Sequence, residues 1–210
     1  MKLYQSSSSP NSRRVRMFLA EKGVPVDLMP VNLGTREQFS AQYSAINPRN
    51  VVPTLVLDDG TAIGEVPAIC RYLEEAFPER LLWGTTPLEK AMITMWERRA
   101  ELEGFAVVME GVRNAVPGLK GRAIAGPHDY DQIPALVERS KLRLKNFYAD
   151  LNARLDKSAF VGGTQFSIAD ITAVVAIDFA AGGLKIDLPA DHEALKHWYD
   201  AVSARPSAKA

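Results

Sequence analysis

The apolar pattern changes character near residue 80, and that change limits the folds open to this 210-residue chain. Before it, short strand-like runs alternate with helical stretches. Lys2-Leu3-Tyr4 is a short apolar run that leads into a Ser/Pro loop at residues 5–10. Residues 12–22 read as a helix, with Val15, Phe18 and Leu19 on one stripe and Gly23 at its stop. Residues 26–31 read as a second strand, reached by a β-α-β crossover. A helix is expected over 35–44, ended by Asn47-Pro48. Residues 54–57 and 61–64 flank Asp58-Asp59-Gly60, a hairpin signal. Residues 65–76 then put Val66, Ile69, Leu73 and Ala76 on one helical face. The order β-α-β-α-β-β-α fits a small mixed sheet with helices on its faces.

After Phe77-Pro78 the strand signals stop. Residues 88–115 read as one long helix carrying Met92, Met95, Trp96, Leu102, Phe105 and Met109. Residues 133–155 follow with Leu136, Val137, Leu144, Phe147, Tyr148 and Leu151 at helical spacing. Helices over 167–181 and 192–203 complete the chain. Ser167 with Asp170 three residues on reads as a capping box, with Phe166 and Ile171 as its staple, a folding signal worth ~1 kcal/mol. The expected fold class is α/β plus all-α, with domains at 1–78 and 88–210 joined by a linker at 79–87.

Charge narrows the function. Lys+Arg and Asp+Glu are both 25, so the formal net charge is zero, which excludes a general nucleic-acid or anionic-membrane binder. Apolar runs fall far short of the ~20 residues that span a bilayer. Residues 1–9 hold one Lys and no apolar core, so no secretory signal is read. The single cysteine, Cys70, excludes an internal disulfide framework and a cysteine-rich zinc site. It lies on the Val66 stripe and is expected in the core. His128, His192 and His197 form no metal spacing and no triad, so no metal is expected and all three are placed on the surface. A cytoplasmic, reduced compartment is the expected setting.

The chemistry points to the loop Ser6-Ser7-Ser8-Ser9-Pro10-Asn11-Ser12. Ligands of open α/β sheets bind beyond the carboxyl ends of the strands, where a helix start offers unpaired N–H groups to an anion. Ser9-Pro10-Asn11-Ser12 fills the slot where a dithiol oxidoreductase carries Cys-Pro-x-Cys, and both sulfur positions are serine. Such a loop cannot exchange disulfides with its own sulfur, but it suits stabilising another molecule's thiolate. Spacing alone equally permits Ser9 and Ser12 to be turn residues and a cap. Arg13, Arg14 and Arg16 follow at once, either to draw an anion or as a solvated face. Val52-Pro53 places proline at a strand start, where base rates favour a trans bond. Gly64-Glu65-Val66 opens another helix with free N–H groups.

Together these pieces resemble the cytosolic glutathione S-transferase superfamily, in its serine-type classes, over nearly the whole chain. The residues that carry the likeness are Ser9-Pro10-Asn11-Ser12-Arg13-Arg14-Val15, the run from Asn47-Pro48 to Val52-Pro53-Thr54-Leu55, Glu65 with Ala68-Ile69-Cys70-Arg71-Tyr72-Leu73, and Gly162 through Phe166-Ser167-Ile168-Ala169-Asp170-Ile171. The resemblance implies a thioredoxin-like N-terminal domain, an all-helical C-terminal domain and a homodimer. It implies glutathione as co-substrate and conjugation of its thiol to a small hydrophobic electrophile, a detoxification reaction. Ser9 falls at the activating hydroxyl, and Ser9-Pro10-Asn11 is similar to the Thr-Pro-Asn of a bacterial class, making Asn11 a second donor. Val52, with a cis Pro53, would pair with the cysteinyl backbone, and Glu65 would hold the γ-glutamyl end.

Two departures follow. The family carries Glu-Ser where this chain has Glu65-Val66, leaving only the Val66 N–H for the γ-glutamyl carboxylate. A lost hydrogen bond to a charged group costs ~1.5–3 kcal/mol, roughly 10- to 150-fold in affinity. Val51 also replaces the polar residue some classes carry there. Trp96, Phe105, Met109 and Arg113 fit either an electrophile pocket or the helical core. Glutathione-dependent isomerisation or dehalogenation, and a non-catalytic binding module, remain open beside conjugation.

Overall fold

The computed structural model describes all 210 residues. It divides into two units, one of Met1–Arg80 with Ala125–His128 and Lys209–Ala210, the other of Leu81–Ile124 with Asp129–Ala208.

In the first unit β1 (Lys2–Gln5), β2 (Asp27–Pro30), β3 (Thr54–Val56) and β4 (Ala62–Ile63) form one sheet in the order β2-β1-β3-β4. β1 runs parallel to β2 and antiparallel to β3, and β3 is antiparallel to β4. The Asp58-Asp59-Gly60 turn closes the last pair, with Leu57 N–H on Thr61 O at 2.9 Å and Gly60 in the left-handed region. Helix α1 (Pro10–Lys22) starts with Ser9 as cap and Pro10 in its first turn, and stops at Gly23, whose φ of 68° lets its N–H turn back onto Ala20 O. Helix α3 (Val66–Ala76) packs against α1. Leu3, Leu55, Val15, Phe18, Ile69, Cys70 and Leu73 are wholly buried; each large apolar side chain removed from water contributes about 1.5–3 kcal/mol. Cys70 is a core residue, as its stripe indicates. Beside this core the buried Lys22 ammonium meets Glu74 at 2.8 Å and Arg80 O at 2.8 Å, so the charge is compensated on two sides.

The helix expected over 35–44 is not continuous. A 3₁₀ turn spans Glu37–Phe39 and α2 spans Ala41–Ile46. Ser40 sits extended between them, its hydroxyl capping the Tyr43 N–H at 3.1 Å. A serine that satisfies the backbone from outside a helix competes with staying inside it.

The second unit is helical: α4 (Pro87–Arg99), α5 (Ala106–Ala115), α6 (Pro134–Leu155), α7 (Ile168–Leu184) and α8 (Glu193–Ser203). The long helix expected over 88–115 is α4 and α5 joined by a π-helical segment, Ala100–Phe105. Gly104 in that segment lies so close to Phe147 that a Cβ there would fall 2.5 Å from the ring. α4 opens with a capping box between Thr86 and Glu89 that the sequence pattern did not flag. α5 packs on α6, α4 and α5 on α7, and α6 on α8, leaving the first ten residues of α7 fully enclosed.

Ser167 and Asp170 form the expected box at the start of α7: the Ser167 N–H and hydroxyl each donate to the Asp170 carboxylate at 2.9 Å. The carboxylate also accepts Val161 N–H and Trp198 Nε1–H, each at 2.9 Å. Burial pushes the Asp170 carboxyl up while its four donors pull it down. Phe166 meets Phe160 edge-on at 6.0 Å and lies beneath the Arg205 guanidinium at 4.0 Å. No helix is long and apolar enough to cross a membrane, and no group of three or more His, Cys, Asp or Glu side chains could hold a metal ion.

Candidate functional site

Strand register gathers three distant segments at one end of the sheet. Tyr4 pairs with Thr54 and Leu55 with Ile63. The exit of β1, the entry to β3 and the exit of β4 therefore share an edge, and from it extend the loop at residues 6–9, the Val52–Pro53 turn and Gly64-Glu65.

The first segment is built around Ser9. Its backbone is extended (φ −91°, ψ 119°), which places Oγ below the start of α1, where it accepts the Ser12 N–H at 3.2 Å. The side chain is buried, and its own O–H donates to no group of the chain. Ser12 is fully buried and its Oγ accepts the Ser6 N–H at 3.2 Å, so it ties down the loop. Ser6 and Ser8 hydroxyls pair at 3.2 Å. Asn11 repeats the logic of Ser9 one residue into the helix. Its Oδ1 accepts an N–H of the Arg14 guanidinium at 3.3 Å, and its Nδ2 donates to nothing in the chain. Two half-satisfied side chains with uncommitted donors thus sit at the positive end of α1, where an anion is stabilised.

The arginines that follow are not a solvated face. Arg14 is 1% exposed, and Arg16 reaches back to Gln5 Oε1 at 2.6 Å and Ser6 O at 3.2 Å. Burial first, and Arg13 second, lower the Arg16 pKa. These side chains brace the serine loop from beneath, because the stem of Arg snorkels through apolar surface while its head finds carbonyls.

The Val52–Pro53 peptide is cis. Val51 O, just before it, accepts Tyr43 O–H at 2.6 Å and Asn47 Nδ2–H at 3.1 Å. Tyr43 and Asn47 also meet Thr54 Oγ1 at 3.0 and 2.9 Å. Burial raises the Tyr43 hydroxyl pKa despite those two partners. This network was not legible from spacing, since α2 delivers its members from elsewhere in the chain. It leaves Val52, which is 7% exposed, with an N–H and a C=O that pair with no other group of the chain. Buried backbone groups rarely stay unpaired unless something else completes them.

At the third segment Glu65 has φ 61° and ψ 127°, a conformation an L-residue holds only under strain. Its side chain is exposed and makes no cap bond. Val66 opens α3 and is buried at 3%. Pro67, which has no N–H, takes the next position.

Elsewhere, His128 and His197 are exposed but His192 is half-buried, with Nδ1 3.1 Å from Asp191 Oδ1. That corrects the expectation that all three histidines lie on the surface. Trp96 is stacked between the guanidinium groups of Arg99 and Arg154 at 4.7 and 4.8 Å, Phe105 is buried against Phe179 at 6.4 Å, and Met109 is half-buried.

Known proteins give the same picture. Residues 3–81 match the family described as glutathione S-transferase, N-terminal domain, and residues 134–201 match glutathione S-transferase, C-terminal domain. Glutathione S-transferase 2 of Saccharomyces cerevisiae is 36% identical over 214 residues, covering 100% of this chain and 88% of that protein. The disulfide-bond oxidoreductase YfcG of Escherichia coli K12 is 29% identical over 211 residues, covering 95% and 88%. The crystal structure of a glutathione S-transferase domain-containing protein from Marinobacter aquaeolei VT8 superposes with a TM-score of 0.90 at 36% identity over 99% of each chain. Covered in full by a glutathione S-transferase relative at 36% identity and matched by both glutathione S-transferase domain models, this chain belongs to the glutathione S-transferase superfamily.

Proposed function

We propose that the chain is a glutathione transferase that ionises the thiol of bound glutathione and adds it to a small hydrophobic electrophile. One observation carries the reading. Ser9 and Asn11, both at the start of α1, each accept a hydrogen bond from the chain and keep their donors free. A thiol of pKa ~8.5 must fall by about 1.5–2 units to be mostly ionised at neutral pH, or roughly 2–2.7 kcal/mol. A hydrogen bond to a charged acceptor gives about 1.5–3 kcal/mol and the helix start about 0.3–1 kcal/mol. The two donors therefore suffice without metal or base.

In this reading the Ser9 hydroxyl donates to the sulfur and Asn11 Nδ2–H donates beside it. The unpaired N–H and C=O of Val52, presented ahead of Pro53, meet the cysteinyl backbone as a short strand would. Glu65 takes the γ-glutamyl ammonium and the Val66 N–H takes its carboxylate. The thiol proton leaves to solvent, the thiolate attacks the electrophilic alkyl or aryl carbon, a C–S bond forms, and the leaving group departs with its electron pair. Positioning and acidification are the whole of the catalysis. Residues 1–78 act as the glutathione-binding domain and 88–210 as the C-terminal domain, joined through 79–87. The working form is a cytoplasmic homodimer, supported by Leu88, Met95 and Leu102, which stay exposed at seven-residue spacing along one helical run.

Calorimetric titration with glutathione, followed by turnover of 1-chloro-2,4-dinitrobenzene by wild type, Ser9→Ala and Asn11→Ala, tests this. Binding is expected, with turnover falling about 10- to 100-fold in Ser9→Ala and less in Asn11→Ala, and with the pH midpoint of the rate moving up in both. Equal rates for all three proteins would remove Ser9 and Asn11 from the chemistry. A second reading, a non-catalytic module, draws on Val66, and it gains if millimolar glutathione gives neither heat nor a thermal shift.

A further inference from the structure

In the second unit Arg113 and Arg122 each bury part of a guanidinium without a carboxylate partner. Arg113 lies in the last turn of α5, and Arg122 lies in the loop that returns from α5 to α6. The Arg113 guanidinium donates to Arg122 O at 2.5 Å and the Arg122 guanidinium to Gly118 O at 2.9 Å. Both heads are therefore held by carbonyls alone. Each Nε is buried and has no acceptor, and neither guanidinium has a carboxylate within ion-pair distance.

Other arginines of this unit are treated differently. Arg98, Arg99 and Arg139 pair with Glu101, Glu103 and Glu110. Arg154 stacks on Trp96, and Arg143 is exposed to water. The acid nearest along the helix, Glu110, is already taken by Arg139 and Ser140. The carbonyl end of α5 supplies only about half a negative charge, against two positive ones.

The placement is held from several sides. Gln132 Nε2 donates to Arg113 O and Val116 O, both at 2.8 Å, and Asn114 Oδ1 accepts the Ile133 N–H at 2.7 Å. Side-chain amides thus stitch the loop back onto the helix and keep two like charges together. Burial, then the Arg122 charge, depress the Arg113 pKa, as expected for a cation without its counter-ion. Beside them Gly118 and Gly121 face open space: a Cβ on either would meet nothing within 4 Å.

We propose that Arg113 and Arg122 form a binding site for the carboxylate of a small organic acid. Guanidinium forks match carboxylate geometry and desolvated pairs bind it strongly.

The test compares 4-chloro-3-nitrobenzoate with its neutral partner 4-chloro-3-nitrobenzamide. Without glutathione, calorimetry on the wild-type chain is expected to show the benzoate bound at least about tenfold more tightly. That preference should collapse in Arg113→Gln and Arg122→Gln and survive in large part in Arg122→Lys. Equal affinity of the wild type for both compounds overturns the site, as does a preference untouched by both Gln variants. If a Gln variant fails to fold, the wild-type comparison and Arg122→Lys still decide.

Discussion

Trp198 Nε1 donates to Asp170 Oδ1 across 2.9 Å, fastening α8 to the first turn of α7 through a carboxylate with no exposure to water. The local box of Ser167 and Asp170 thereby becomes a long-range fastening as well. Removing the acceptor strands three N–H donors and a hydroxyl in the core, whereas removing the indole strands none. Asp170→Ala should cost about 3 kcal/mol or more and Trp198→Phe about 1–2 kcal/mol. Urea unfolding checks the order; a Trp198→Phe loss as large as that of Asp170→Ala would contradict it.

In the proposed glutathione site, Val66 stands where a hydroxyl would grip the γ-glutamyl carboxylate. In Val66→Ser the regained bond to a charged acceptor should tighten glutathione binding about 10-fold or more. Since Val66 is only 3% exposed, the lost methyls should lower stability by about 1–2 kcal/mol. Calorimetry and thermal unfolding read the two effects separately, and unchanged affinity would place the carboxylate elsewhere.

Glu65 is a non-glycine residue at φ 61° with an exposed side chain that caps nothing. Strain of this kind costs about 1–3 kcal/mol, and glycine relieves it at an entropic cost of about 0.5–1 kcal/mol. Glu65→Gly should therefore be more stable by about 1 kcal/mol and bind glutathione more weakly, a stability–function exchange. A variant more stable yet undiminished in binding would remove Glu65 from glutathione binding.

The start of α4 carries its own pH dependence. Hydrogen bonds from the Thr85 hydroxyl and N–H, then from the Thr86 N–H, draw the Glu89 carboxyl from its usual 4.5 down to about 2. A folded-state pKa below the unfolded one means stability present above pH 4.5 and lost as pH falls toward 2. Melting temperatures recorded across that window should fall less steeply for Glu89→Gln than for wild type. Parallel curves would show that Glu89 titrates alike in the folded and unfolded chain.

Features of this molecule that depend on neighbours in sequence were legible from it. The Gly23 stop, the hairpin at Asp58-Asp59-Gly60 and the Ser167–Asp170 box each need only a few adjacent residues, whereas α1 starts at Pro10, two residues before the expected start at 12. The 35–44 segment misled because Ser40 offers its backbone an alternative that helical spacing does not register. The Tyr43–Asn47–Thr54 network behind Val51 joins residues 4 to 11 apart without helical or strand periodicity, and the tie from Trp198 reaches back 28 residues. Ser9 and Asn11 could be chosen as candidates from order and type, yet which of their atoms stay uncommitted emerges only when Ser12 and Arg14 take the rest. The Arg113–Arg122 pair left no local trace: nine residues separate them, and only the return of the loop brings them together.

Cys70 is the chain's one thiol and has no exposed surface. A catalyst that handles sulfur-seeking reagents risks being alkylated by them. If the transferase reading holds, enclosing the sole thiol inside α3 leaves such compounds the sulfur of the bound tripeptide as their thiol target, so turnover need not poison the protein.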